Sequence, residues 1–107
     1  MEHLQYEFKE AGGKTEALLP YVLVGVVASG NLEVLIQPSE LAGGCRFVID
    51  TAATGFAESW QAVLADFMSR FQPANLLVSI NDHAASPAVV SLRLDQAYEI
   101  LTGKAKA

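Results

Sequence analysis

The sequence predicts an α+β fold: a single antiparallel sheet of about five strands, arranged as a β-hairpin meander, a helix and a returning hairpin, with helices packed on one face. Three observations carry this expectation. Apolar and polar residues alternate in several short segments, which is the period of a half-buried strand. One later stretch changes to three- and four-residue steps, the period of an amphipathic helix. Turn-forming residues separate the segments at short intervals.

Taken in order, Leu4 to Phe8 alternates as Leu-Gln-Tyr-Glu-Phe and predicts a short edge strand that stops at the breaker Ala11-Gly12-Gly13-Lys14. The valine-rich run Tyr21 to Val27 reads as a buried strand, and Leu32 to Gln37 as an alternating one. Between them, Ser29-Gly30-Asn31 supplies residues that tolerate the positive φ of a tight reversal, so a β-hairpin is expected with Ser29 exposed at its tip. A second hairpin turn at Pro38 to Gly44 leads into the strand Arg46 to Asp50.

Phe56, Trp60, Val63, Leu64, Phe67 and Phe71 then recur at helical spacing, with Pro73 just beyond, which predicts a helix over about Ala57 to Phe71 whose apolar stripe covers the sheet. Leu76 to Ile80 reads as a strand and Asn81 to Pro87 as a turn-rich loop. The alternation of Val89 to Leu94 predicts another strand, passing into a short helix through Leu101, and Thr102 to Ala107 reads as a frayed tail. Residues 1–107 are read as one domain, of which the first 20 are the least defined.

Composition narrows the function. With 51% hydrophobic and 18% charged residues the chain has the make-up of a folded domain. The apolar run Tyr21 to Ala28 is too short to span a bilayer, and Met1-Glu2-His3 lacks a signal-peptide pattern, so a cytoplasmic protein with no membrane contact is expected. The net charge of -5, with basic residues scattered, disfavours nucleic acid and favours docking onto basic protein partners. Cys45 is the lone cysteine and reads as a small core residue beside Gly43 and Gly44, which rules out an internal disulfide.

Several side chains invite a chemical reading. Ser29 is an ordinary turn residue on local pattern, yet a hydroxyl at a hairpin tip beside Gly30 is also open to modification by another enzyme. Asp82-His83 suggests a general base that Ser29 would complete as a triad, but adjacent residues rarely orient each other and the Gly-x-Ser-x-Gly elbow is absent around Ser29. No catalytic residue is assigned. His3 and His83 lie far apart with no ligands at metal spacing, so no metal is expected. Ala11-Gly12-Gly13-Lys14-Thr15 lacks the first glycine of a phosphate loop and reads as a flexible turn.

The stretch Val24-Gly25-Val26-Val27-Ala28-Ser29-Gly30-Asn31-Leu32-Glu33-Val34-Leu35 resembles the segment around the modified serine of malonate decarboxylase acyl carrier subunits. Gly55-Phe56-Ala57-Glu58-Ser59-Trp60, Ile80-Asn81-Asp82-His83-Ala84-Ala85-Ser86-Pro87 and Val90-Ser91-Leu92-Arg93-Leu94-Asp95-Gln96-Ala97 resemble the same family, and together the matches cover most of residues 21 to 101. Ala28 stands where glycine is expected in many relatives, and the first 20 residues carry no part of the resemblance. The chain does not resemble the helical fatty-acid carriers, whose serine follows aspartate at a helix start.

The resemblance implies a non-catalytic carrier with 2'-(5''-phosphoribosyl)-3'-dephospho-coenzyme A joined to Ser29 by a phosphodiester, the attachment being made by a dedicated prosthetic-group transferase. It further implies acetyl and malonyl thioesters on the arm, a malonyl-transferring acyl-transferase subunit, and decarboxylase subunits as partners. Three alternatives stay open on the residues alone: the carrier subunit of a citrate-lyase-type complex, a scaffold or interaction domain with bare Ser29, and a serine-dependent enzyme using Asp82 and His83.

Overall fold

Alternation lets each strand bury one face while the other meets solvent, and five segments of the chain use it. A computed structural model describes residues 1–9 and 13–103. In chain order the elements are β1 (Glu2–Phe8), β2 (Val22–Gly25), β3 (Asn31–Pro38), β4 (Cys45–Thr51), α1 (Ala57–Phe71), β5 (Leu76–His83) and α2 (Pro87–Thr102). The five strands form one open sheet in the order β1-β4-β5-β3-β2, so the architecture is α+β as the sequence predicts.

The pairings are antiparallel except for β4 with β5, which run parallel. A parallel pair needs a long crossover, and the 15 residues of α1 supply it. The strand β5 thereby enters between β4 and β3, so the turn expected at Pro38 to Gly44 does not join sheet neighbours. That connection is held instead from β5's approach: Asn75, at φ 57°, accepts the Leu41 and Gly43 N–H groups on its Oδ1 at 3.0 and 2.9 Å.

The side chains of one sheet face are drawn from every strand. Leu32, Val34 and Ile36 of β3, Phe47 and Ile49 of β4, and Leu76, Val78 and Ile80 of β5 are essentially sealed from solvent. On them α1 lays Trp60, Leu64, Phe67 and Met68, and α2 lays Val90, Leu94, Ala97, Tyr98 and Leu101. Phe67 anchors this layer through edge-on contacts with Phe47 and Tyr98. Phe56, expected in the stripe, precedes the first residue of α1 and is 53% exposed.

Other elements depart from expectation. The strand expected at Val89 to Leu94 is part of α2. Val90, Leu94, Ala97, Tyr98 and Leu101 are buried at helical spacing, whereas Leu92, which a strand would bury with them, is half exposed. Ser86 and Pro87 start this helix: the Ser86 hydroxyl accepts from the Val89 N–H, and proline occupies the first turn, where it loses no hydrogen bond. The valine-rich run is a four-residue strand at the sheet edge, with Leu23, Val26 and Val27 exposed. The strand β5 runs on through Asn81 to His83, where a loop was expected. Thr102 is buried with its hydroxyl donating to the Tyr98 carbonyl at 2.9 Å, and the remainder of the expected tail from Lys104 lies outside the described residues, as do Ala11 and Gly12 of the breaker.

Candidate functional site

The hairpin of β2 and β3 pairs in register up to Gly25 and Glu33, leaving residues 26–30 to reverse the chain. Gly25 is required there: it holds φ 87°, and a Cβ would stand 2.0 Å from the Leu32 carbonyl oxygen. The Asn31 N–H donates to the Ala28 carbonyl at 2.9 Å and closes a turn over Ser29 and Gly30. Gly30, at φ 73°, takes the third position, the glycine placement of a type II turn.

The turn is fastened from beneath and open above. The Gly30 N–H donates to the His83 carbonyl at 2.8 Å, which ties the tip to the end of β5. Ser29 is exposed, as the sequence predicts, and its hydroxyl enters none of the hydrogen bonds among the described residues. A Cβ built on Gly30 would meet nothing within 4 Å. A reagent or enzyme can therefore reach the Ser29 oxygen without moving the protein.

Beside the turn, Asn31 does two jobs. Its Oδ1 accepts the Leu32 N–H at 2.8 Å and the Nε–H of Arg93 at 3.3 Å, and Arg93 Nη1 donates to Gln96 Oε1 at 3.0 Å. Arg93 reaches the turn from α2, a position that its expected place on a strand concealed. The reading from sequence missed it because only the true helical phase of Ser91 to Leu101 brings that side chain over β3.

The suspected pair Asp82 and His83 is separated by the strand that carries it, since neighbours in a strand point to opposite faces. Asp82 is buried: its carboxylate accepts the Thr51 hydroxyl at 2.8 Å and the Ala84 and Ala85 N–H groups, each at 3.1 Å. It thus shapes the connection from β5 to α2. His83 is exposed and gives the turn only its carbonyl. Ser29, Asp82 and His83 form no relay.

The remaining candidates are structural. Thr15 of the glycine-rich segment accepts the Ala74 N–H at 2.9 Å and shares a hydrogen bond with the Tyr98 hydroxyl. Cys45 is buried in the core, and that burial pushes its thiol up to about 11, so it is no nucleophile near neutral pH. His3 pairs with Asp50 across β1 and β4, and no group of three or more metal-ligating side chains occurs among the described residues. A cavity of about 210 Å³, with Phe56, Trp60, Val63, Ala85 and Pro87 among its walls, opens where the starts of the two helices meet the end of β5.

Comparison with known proteins bears on this geometry. The family model described as malonate decarboxylase delta subunit (MdcD) matches residues 21–101. A malonate decarboxylase acyl carrier protein of Xanthomonas campestris pv. campestris (strain B100) is 52% identical over 103 residues, covering 96% of this chain and 97% of that one. One of Stenotrophomonas maltophilia (strain R551-3) is 53% identical over 105 residues, 96% of each. A chain in the crystal structure of a Pseudomonas malonate decarboxylase hetero-tetramer in complex with malonate superposes with a TM-score of 0.82 at 35% identity, covering 94% of this chain and 99% of that chain. The relatives extend the match into the first 20 residues, which the sequence resemblance had left out.

Proposed function

The chain belongs to the malonate decarboxylase acyl carrier family, and from that membership we propose that Ser29 carries acyl groups for a malonate decarboxylase on a covalently attached 2'-(5''-phosphoribosyl)-3'-dephospho-coenzyme A. The observation that supports this most is the turn itself, which exposes a hydroxyl that no hydrogen bond among the described residues engages. Those features fit a phosphodiester on Ser29 Oγ: the oxygen is open, and the neighbouring Gly30 adds no bulk. Once bound, the group supplies a terminal thiol for acetyl and malonyl thioesters, whose carbonyl accepts the electron pair left when carbon dioxide departs.

The protein's own residues do the holding. Gly30 and Asn31 fix the root of the turn through His83 and Ala28, so the attachment point has a defined place while everything beyond Ser29 Oγ projects into solvent. A tether of this kind presents its cargo to successive active sites at an effective concentration set by arm length, in the mM range for short flexible linkers. Of the titratable candidates, Asp82 is turned inward and Cys45 is sealed, while His83 is exposed and gives the Ser29 turn only its carbonyl. We therefore assign the chemical steps to partners: a transferase that attaches the arm, an acyl-transferase subunit that exchanges acetyl for malonyl, and decarboxylase subunits. The hetero-tetrameric assembly of the Pseudomonas enzyme supports such partners, and the names of the relatives favour malonate decarboxylase over a citrate-lyase-type complex.

The joining of β1 to β4 in the same sheet supports a single acyl carrier domain. No helix among the described residues is long and apolar enough to cross a membrane. Intact mass of the protein from its native host, followed by peptide mapping around Ser29, tests the proposal. A mass increment for the phosphoribosyl-dephospho-coenzyme A on Ser29 is expected; a bare serine in cells with active decarboxylase would leave a scaffold role.

A further inference from the structure

Attaching a phosphodiester at Ser29 places new negative charge on a protein whose net charge is already -5. A cation close to the tip would offset that repulsion. Among the arginines, Arg46 is bonded to Glu7, and Arg70 to Asp66 and Asp95. Among the described residues, Arg93 alone of the three bonds only neutral oxygens, those of Asn31 and Gln96.

The carboxylates around Arg93 are engaged elsewhere. Asp95, on the same helix, binds Arg70 through both oxygens, and Asp82 is occupied by Thr51 and two backbone N–H groups. Glu33 of β3 accepts from Asn81. A guanidinium carries five N–H donors, of which the contacts to Asn31 and Gln96 use two among the described residues, so three donors remain for a further acceptor. Side chains on a helix lean towards its N-terminus, and α2 begins at the end of β5 to which the Ser29 turn is bonded. Asn31 completes the placement, since one residue closes the turn with its N–H and holds Arg93 with its Oδ1.

We propose that Arg93, positioned by Asn31 and Gln96, is the binding residue for the phosphodiester formed at Ser29. The ligand class is a phosphate diester, for which a guanidinium offers paired, charge-assisted donors. The pairing draws the first atoms of the arm down against α2, so the arm swings from a fixed phosphate rather than from the serine oxygen. This assignment rests on the carrier reading of Ser29.

The test uses the full-length ¹⁵N-labelled chain, bare and loaded by its attaching transferase, with loading verified by mass. On loading, the Arg93 Nε–H resonance is expected to move while those of Arg46 and Arg70 stay. In the loaded protein the ³¹P resonance of the diester is expected to move on Arg93→Gln, to move less on Arg93→Lys, and to stay on Arg46→Gln. Because surface ion pairs are screened, the Arg93→Gln effect should shrink between about 0.01 and 1 M salt. An intact mass increment on Ser29 with unmoved Arg93 and ³¹P resonances would overturn the Arg93 assignment and leave the carrier reading standing. A bare Ser29 in protein from the native host, despite an active decarboxylase, would overturn both.

Discussion

The Gly30 N–H donates to the His83 carbonyl at 2.8 Å, which bonds the turn presenting Ser29 to the last residue of β5. The anchor is purely backbone, and the Ser29 side chain takes no part in it. Stability and the proposed attachment at Ser29 are therefore separable at this turn, and the two can be measured independently.

Ser29→Ala removes an exposed hydroxyl with no partner among the described residues, so stability should change by no more than about 0.5 kcal/mol. On the proposed carrier role, the assembled decarboxylase should lose its turnover entirely, because Ser29→Ala leaves no oxygen to hold the arm. Urea unfolding of the carrier and malonate-dependent release of carbon dioxide by the complex give the two readings. Turnover that survives the substitution would remove Ser29 from the carrier role.

Gly25 and Gly30 both hold positive φ, but their surroundings differ. At Gly30 a Cβ would be free, so Gly30→Ala should cost only the backbone preference, about 1–2 kcal/mol. At Gly25 the added carbon would stand 2.0 Å from the Leu32 carbonyl oxygen, and the strand pair must part to admit it. Gly25→Ala should therefore cost more than about 3 kcal/mol, the upper range for local strain, as read by urea midpoints.

Asp82 and His83 should behave oppositely. Asp82→Ala leaves the Thr51 hydroxyl and the Ala84 and Ala85 N–H groups without their acceptor inside the protein, a loss of about 2–4 kcal/mol at roughly 1–3 kcal/mol per stranded group with partial rescue by water. His83→Ala changes an exposed ring and should stay within about 0.5 kcal/mol, with turnover of the complex unaffected. A large loss of turnover in His83→Ala would reinstate a chemical role for that histidine.

What could be read from the chain in advance was local. The Ser29 turn was legible because glycine and asparagine at a reversal carry their own backbone preference, and α1 was legible because six apolar residues keep one helical phase up to Pro73. The place of β5 between β4 and β3 was not, since strand order depends on which distant edge a returning strand meets. Val89 to Leu94 was misread because Val, Ser, Leu and Arg fit both periods over so few residues; only the burial of Ala97, Tyr98 and Leu101 further on decides for the helix. Asp82 was legible as a carboxylate but not as the acceptor for Thr51, because that contact joins two parallel strands.

Trp60 and Phe56 share the apolar spacing of one segment, yet the structure separates them. Trp60 is 6% exposed and Phe56 is 53% exposed. Trp60→Ala should cost about 3–5 kcal/mol, the range for emptying a core site of that size. Phe56→Ala, with half its surface already wet, should cost about 1 kcal/mol or less at roughly 25 cal/mol per Å². Equal losses in urea unfolding would mean that Phe56 is packed as deeply as the helix stripe.

Cys45 gives the fold a pH dependence whose sign follows from its burial. Burial raises the thiol to about 11, and a hydrogen bond from the Leu76 backbone only partly opposes this. In the unfolded chain the thiol ionises near about 8.5. Below that pH both states keep the proton and the contribution is fully present. Between about 8.5 and 11 the unfolded chain releases a proton that the folded one retains, so stability falls by up to about 1.4 kcal/mol per pH unit and by about 3 kcal/mol in all. Cys45→Ala removes this group, so the difference in unfolding free energy between the two proteins should narrow across that window and level off above it. A difference that stays constant from pH 8 to 11 would show that the thiol ionises as readily in the folded protein as in the unfolded one.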